Sequence, residues 1–260
     1  MKILLSLFFL CSMALAQDSG IKETLEGDEH FVDPEVQKQI ASSEMKKTGV
    51  FWTKPDYSNQ TDALGWRPDA FSIPSGFQDR VNFWIDIYTK YTTRQVVLHD
   101  ARYMDVIYKT LDFSNIENLS EREKIKKVKE EKKIIKEALD RLHKAKDNPS
   151  ILSAEDRDLY DKFKFIPEKN KFLESKNRLR MQLGQKDRFI LGLYFSGRYI
   201  REMEKIFREE GMPIELTRLP FVESSFNLYA MSRVGASGIW QFMRSTGRLF
   251  MKLDSIKDSR

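Results

Sequence analysis

Helical periodicity is the feature that most constrains the fold of this 260-residue chain. From residue 120 to residue 250, apolar side chains recur mostly at three- and four-residue spacing, which places them on one face of a helix. The clearest helix is predicted over residues 120–146, where Ser120 and Glu123 form a capping box and a narrow apolar stripe runs between Lys and Glu residues. The chain is therefore predicted to be mainly α.

That Lys-rich helix allows two interpretations. It could be a basic arm for an acidic polymer, or a solvated helix that docks its one apolar stripe on the protein core. We favour docking, because the stripe is continuous while the charges of both signs alternate around it. From residue 177 onward the pattern remains helical, and Gly211 is predicted to end a helix just before Pro213 begins the next.

The region before residue 120 is more mixed. Apolar residues share a helical face over residues 77–91, which predicts a helix there. Residues 95–98 and 106–108 are short runs of β-prone residues, and they favour a small hairpin. A helix over residues 101–109 is the alternative.

The N-terminus has the pattern of a secretory signal peptide. Lys2 precedes an apolar run, and Ala14-Leu15-Ala16 is a small-x-small cleavage site followed by polar residues. The alternative, a transmembrane anchor, is disfavoured because the run is shorter than the ~18–20 apolar residues that span a bilayer. We predict cleavage after Ala16 and delivery to the periplasm or cell envelope.

Composition excludes several classes of function. The single cysteine, Cys11, lies inside the predicted signal, and Leu10 before it is not the small residue that a lipidation site requires. The mature chain would then use no disulfide, and its three scattered histidines have no metal-ligand spacing, so we expect no structural zinc or other metal site. The net charge of +5 is mild, and the absence of nucleic-acid-binding motifs predicts no nucleic-acid partner.

These patterns divide the chain into four segments. After the signal peptide of residues 1–16, residues 17–49 are predicted to form a polar, poorly ordered leader. Residues 50–180 are predicted to form a mostly helical region, and residues 181–260 to form the segment that carries the chemistry.

Glu223 is the candidate catalytic residue. It directly follows Phe221 and Val222, where the apolar pattern calls for burial, and a carboxyl group in an apolar wall resists ionisation. A general acid for glycosidic cleavage needs such a carboxyl group, still protonated near neutral pH. Taken alone, this pattern favours the simpler interpretation, a surface Glu at a helix end. Glu215 is interpreted in that way, as a solvated or capping carboxylate.

The next stretch adds a candidate binding loop. Residues 235–238 are Gly-Ala-Ser-Gly, and small residues let the backbone come close to a ligand. Gln241 follows within an apolar segment, where its amide can both donate to and accept from a sugar. The alternative is a glycine-rich turn between two helices.

Together these motifs resemble the catalytic domain of the soluble lytic transglycosylases. The resemblance rests on Glu223-Ser-Ser-Phe-Asn227, Ser232, Gly235-Ala236 and the run Gly238-Ile-Trp-Gln-Phe-Met243. The flanking Gly211-Met-Pro-Ile-Glu-Leu216 and Leu219-Pro220 resemble the membrane-bound murein transglycosylase D branch. The resemblance covers roughly residues 185–260.

The resemblance implies a lysozyme-like α-helical domain that cleaves peptidoglycan glycan strands without a cofactor. It implies that Glu223 is the sole catalytic acid and base, that Ser224 supports it, and that Gln241, Met243 and Ser232 contact the glycan. The family domain continues beyond the Gln motif, so the chain is expected to carry only the first half of it. A lysozyme-like muramidase and an inactive peptidoglycan-binding remnant are the alternatives. Peripheral association with the envelope membrane stays open.

Overall fold

The structure is a computed structural model that describes residues 71–116 and 120–253. These residues form two compact units. The first, Ile73–Asp187, is called the N-terminal unit. The described part of the second, residues 71–72 and 188–253, is called the C-terminal unit. The mainly α fold predicted from the sequence is confirmed.

The predicted signal peptide of residues 1–16, its cleavage after Ala16 and the leader of residues 17–49 lie outside the described residues. Among the helices that the structure describes, none is long and apolar enough to cross a membrane.

The N-terminal unit combines helices with a three-stranded antiparallel sheet of order β2-β1-β3. Its elements, in chain order, are α1 (Gln78–Thr89), β1 (Gln95–Asp100), β2 (Ile107–Asp112), α2 (Glu121–Lys144), a 3₁₀ turn (Pro149–Ile151), α3 (Ala154–Asp161), α4 (Lys171–Arg178) and β3 (Leu179–Leu183). The predicted helix over residues 77–91 and the predicted hairpin are confirmed, and the alternative helix over residues 101–109 is wrong.

One strand contradicts the sequence interpretation. The helical pattern assigned from residue 177 onward does not extend through Leu179–Leu183, which pairs antiparallel with β1. In this register Leu98 lies opposite Met181. The central strand β1 needs a partner on each edge for its buried main-chain groups, and that demand overrides local helix propensity. Gly184 then ends β3 where the chain passes so close to Thr92 that a Cβ atom would lie 2.3 Å from the Thr92 carbonyl oxygen.

Helix α2 confirms its predicted start and its predicted buried stripe. The Ser120 hydroxyl accepts from the Glu123 amide, and the Glu123 carboxylate accepts from the Ser120 amide at 2.9 Å. Its buried apolar residues are Val128, Ile135, Ala138, Leu139 and Leu142. The charged faces pair with neighbouring helices, as where Lys176 Nζ lies 2.6 Å from Asp140. These contacts favour a docked helix over a free basic arm.

The C-terminal unit consists of short helices around an aromatic core. Its elements are α5 (Lys186–Ser196), which begins in the last residues of the N-terminal unit, α6 (Ile200–Glu209), a 3₁₀ helix (Ile214–Arg218), α7 (Pro220–Glu223) and α8 (Arg244–Phe250). Gly211 adopts a φ of 67° just after α6, which confirms the predicted helix end. Phe221, Phe226 and Ile239 form the buried centre of the core.

Candidate active site

Glu223 is the last residue of α7, a helix of a single turn. Pro220 occupies the first helical position, where its fixed φ suits the helix and its missing amide hydrogen costs nothing. The Glu223 amide donates to the Leu219 oxygen at 3.1 Å. The side chain is half-buried between the buried residues Phe221 and Ser224. The main chain therefore fixes the position of Glu223 at the helix end, and the nearby residues Phe221 and Ser224 are buried in the core.

The chain reverses direction immediately after Glu223 through two left-handed residues. Ser225 has a φ of 52° and Phe226 a φ of 58°, a conformation that costs a residue with a Cβ atom about 1–2 kcal/mol. Burial offsets that cost, because Phe226 is 1% exposed and meets the Phe221 ring edge-on at 4.7 Å between centroids. The reversal lets the Phe226 amide donate back to the Pro220 oxygen at 3.2 Å. Strain of this kind concentrates at functional sites.

Ser224 links this turn to the loop that follows. Its buried hydroxyl donates to the Ile239 main-chain oxygen at 2.8 Å. A second, longer contact of 3.5 Å reaches the Pro220 oxygen. The hydroxyl therefore acts on the protein backbone, and it holds the residue after Glu223 against the loop before Gln241.

The small-residue loop is folded into a compact, bridged turn. Ser237 forms isolated β-bridges with both Met231 and Phe242. Gly235 and Gly238 take φ values of 84° and 79°, which favour glycine. The loop is thus more than a flexible turn, because three of its segments are joined by main-chain hydrogen bonds.

Gln241 is the central hydrogen-bonding side chain of that loop. It is half-buried, with a φ of 51°. Its Nε2 group donates to the Ala230 oxygen at 3.1 Å and to the Gly238 oxygen at 2.8 Å. An amide nitrogen has two hydrogens, and both are used inside the loop. The Oε1 atom is the part of the side chain that can still serve a ligand.

The two remaining predicted binding residues lie on the same loop. The Ser232 hydroxyl accepts from the Ala236 amide at 2.9 Å, which leaves its own proton for donation. Met243 directly precedes α8, and its side chain is 40% exposed. The structure therefore places Ser224, Ser232, Gln241 and Met243 on one continuous, internally bonded segment that begins at Glu223.

The interpretation of Glu215 as a solvated carboxylate is wrong. Glu215 is fully buried in the 3₁₀ helix, as is Thr217. This helix packs on α6, and Arg218 pairs there with Glu204 with both side chains mostly buried. Local periodicity failed here because a 3₁₀ helix turns every three residues, so a face assigned with the α period is displaced.

Gly192 is a site-supporting residue that the sequence analysis missed. It is buried in the middle of α5, and a Cβ atom there would lie 3.3 Å from Phe221 Cδ1 and 3.3 Å from the Ser225 Cα and Cβ atoms. Its small size lets α5 approach the turn that follows Glu223. A glycine inside an otherwise apolar helix was the available signal.

No group of His, Cys, Asp and Glu side chains within residues 71–116 and 120–253 has the arrangement of a metal site. The chemistry that these residues can offer is that of a half-buried carboxylate beside an ordered hydrogen-bonding loop. Such a carboxylate can exchange a proton with a bound ligand.

One family model matches the segment that carries the candidate site. Residues 199–259 match the model of the Transglycosylase SLT domain. The resemblance to lytic transglycosylases stated from the motifs is thereby confirmed.

A particular relative is the membrane-bound lytic murein transglycosylase D of Escherichia coli K12. The two chains are 51% identical over 41 residues, which is 16% of this chain and 9% of the relative. The protein of the same name from a second strain, Escherichia coli O6:H1, gives the same values. This chain therefore aligns with less than a tenth of the length of these curated relatives. No match was found among the solved structures.

Proposed function

We propose that the chain acts as a peptidoglycan lytic transglycosylase in the periplasm or cell envelope. The observation that carries this proposal is the arrangement of Glu223, at the end of α7, beside the ordered loop that carries Gln241. The SLT domain match over residues 199–259 includes both residues. The relative's name supplies murein, the peptidoglycan polymer, as the substrate class.

In the proposed reaction Glu223 first acts as the general acid. Its carboxyl group gives a proton to the oxygen between N-acetylmuramic acid and N-acetylglucosamine, and the bond from that oxygen to the anomeric carbon breaks. The substrate's own acetamido oxygen stabilises the electron-poor anomeric carbon, as in substrate-assisted glycosidases. No second protein carboxylate is required.

Glu223 then acts as the general base. Its carboxylate takes the proton from the 6-hydroxyl group of the muramic residue, and the freed oxygen bonds to the anomeric carbon. The products are a 1,6-anhydromuramic end and a free N-acetylglucosamine end, so no water is consumed. A single residue that gives and then takes one proton returns to its starting state.

The binding roles follow from the hydrogen bonds. Because Gln241 Nε2 is occupied by Ala230 and Gly238, its Oε1 atom accepts from a sugar hydroxyl or acetamido N–H. Ser232 donates its remaining proton, and the exposed Met243 side chain contacts an apolar sugar face. Ser224 supports Glu223 through the backbone rather than through the sugar.

The test is the product end released from purified sacculi, read by mass spectrometry. Wild-type protein should release 1,6-anhydromuropeptides, and Glu223→Gln should release at least ~10²-fold less, since Gln keeps the size but cannot exchange the proton. The matched control is Glu209→Gln, which makes the same change at the exposed last residue of α6 and should keep wild-type activity. Reducing muramic ends would indicate a hydrolysing muramidase. Full activity of Glu223→Gln would contradict the role of Glu223.

A further inference from the structure

Tyr229 is far more exposed than the other aromatic residues between Phe221 and Trp240. Phe221 and Phe226 are buried in the core, and the Trp240 ring stacks on Phe207 at 5.9 Å with an interplanar angle of 7°. Tyr229 is 82% exposed, the largest exposed fraction among the bulky apolar side chains described in the C-terminal unit. Tyr229 therefore offers a solvent-exposed aromatic face six residues after the candidate catalytic residue.

The backbone that carries this ring is held on both sides. The Tyr229 amide donates to Asn227 Oδ1 at 2.9 Å. The next residue, Ala230, is 1% exposed, and its oxygen accepts from both the Gly238 amide and Gln241 Nε2. An exposed ring on a fixed backbone loses little conformational entropy on binding, because tyrosine has only two side-chain torsions.

Two short main-chain turns separate Tyr229 from Glu223. The Asn227 amide donates to the Ser224 oxygen at 3.1 Å, and the Ala230 amide donates to the Asn227 oxygen at 3.3 Å. Tyr229 thus lies two consecutive turns beyond the end of α7. The same Gln241 amide that orders the loop also fixes the oxygen of the residue next to Tyr229.

We propose that Tyr229 is a carbohydrate-stacking residue that sets the affinity of the site for glycan strands. The inference rests on the proposed function, since it assigns a pyranose ring as the occupant of this aromatic face. The axial C–H groups of a pyranose form an apolar face. Their hydrogens are weakly positive, so they are attracted to the negative face of an aromatic ring. The phenol hydroxyl, at the ring edge, remains in water or meets a sugar hydroxyl.

The test is a comparison of steady-state cleavage of purified, peptide-free glycan strands by Tyr229→Ala, Tyr229→Phe and the wild type. Tyr229→Ala should raise KM about tenfold and change kcat less than about threefold, because the lost contact is uniform binding. Tyr229→Phe keeps the ring and should keep KM within about twofold of the wild type. Retention of each protein on insoluble sacculi should follow the same order.

Tyr194→Ala is the matched control. Tyr194 is 62% exposed on α5, two residues from Gly192 and so on nearly the opposite side of the helix from the Glu223 turn. Its removal should leave KM and retention unchanged. Circular dichroism of all variants should match the wild type, since both rings are exposed.

The outcomes separate the two proposals. Wild-type cleavage with an unchanged KM in Tyr229→Ala would overturn the role of Tyr229 alone. An equal rise of KM in Tyr229→Phe and Tyr229→Ala would assign the effect to the hydroxyl and overturn stacking. If the wild-type protein neither cleaves peptidoglycan nor binds to insoluble sacculi, the proposed function is overturned, and the Tyr229 inference with it.

Discussion

The Ser224 hydroxyl donates a 2.8 Å hydrogen bond to the main-chain oxygen of Ile239. Both residues are buried, so the bond lies in a region of low dielectric constant where its loss is costly. It joins two segments fifteen positions apart in the chain, the end of α7 and the loop that carries Gln241. The carboxylate and the loop are thereby held as one structural unit.

Replacing Ser224 tests that link. Ser224→Ala should lower the free energy of unfolding by about 1–3 kcal/mol, because the buried Ile239 oxygen loses its donor. Urea unfolding followed by tryptophan fluorescence gives the change. Hydrogen exchange should increase in peptides covering residues 238–243. Ser245→Ala, an exposed serine of α8, is the control and should change stability by less than about 0.5 kcal/mol. Equal stability of the two variants would contradict the link.

The Gln241 amide should be sensitive to a change of one atom. Gln241→Glu keeps the shape but turns a double donor toward the Ala230 and Gly238 oxygens into an acceptor. We expect a loss of about 2–3 kcal/mol in thermal or urea unfolding at pH 7. The loss should shrink near pH ~4, where a protonated Glu can again donate one hydrogen bond. A loss independent of pH would argue against these two bonds.

Gly192 should not tolerate even a methyl group. Helix propensity alone predicts that Gly→Ala stabilises a helix interior by about 1 kcal/mol. At Gly192 the new Cβ atom would lie 3.3 Å from Phe221 and Ser225, so we expect a net destabilisation of about 1 kcal/mol and a lower kcat. In Gly197→Ala the nearest atom is the Tyr194 oxygen at an ordinary 3.4 Å, so this variant should be nearly neutral. A stabilised, fully active Gly192→Ala protein would show that the turn after Glu223 has room to move.

His99 should make the N-terminal unit acid-sensitive. It lies on β1, 5% exposed, with its ring 4.4 Å from that of Phe83. Burial lowers the pKa of His99 to about 4. The hydrogen bond to the Asp100 main chain and the Asp100 charge oppose this effect in part, and the Arg180 and Lys132 charges lower the pKa by smaller amounts. The unfolded chain, with a His pKa near ~6.5, therefore takes up this proton first as the pH falls.

The contribution of neutral His99 to the free energy of unfolding is fully present above pH ~6.5. It is lost as the pH falls towards ~4, and the total loss is about 3 kcal/mol. His99→Gln removes the titrating group, so its unfolding free energy should fall correspondingly less between pH 7 and pH ~4. Urea unfolding of both proteins across this range measures the difference. Carboxylates with lowered pKa values, such as Asp100, are common to both proteins and cancel. Parallel pH profiles would contradict the assignment to His99.

Some of this structure could be read from the sequence because its causes are local. Ser120 and Glu123 satisfy each other's main-chain groups within one turn, so the start of α2 was predictable. Gly211 takes the left-handed conformation that ends a helix, and this preference also belongs to the residue itself. The residues of the candidate site were proposed from local motifs too, since Glu223 and the loop to Met243 lie within one short stretch of chain, and their roles stay predictions.

The tertiary structure decided what depends on distant partners. Leu179–Leu183 is a strand because it pairs with the free edge of β1. The residues of this segment do not by themselves predict that pairing. Glu215 is buried by the packing of its 3₁₀ helix on α6, although its own side chain is ionisable and polar. The sequence by itself determined which groups Gln241 carries, a double donor and an acceptor. Only the fold decided that Ala230 and Gly238 take both donor hydrogens, because hydrogen bonds between segments form only when packing brings them together.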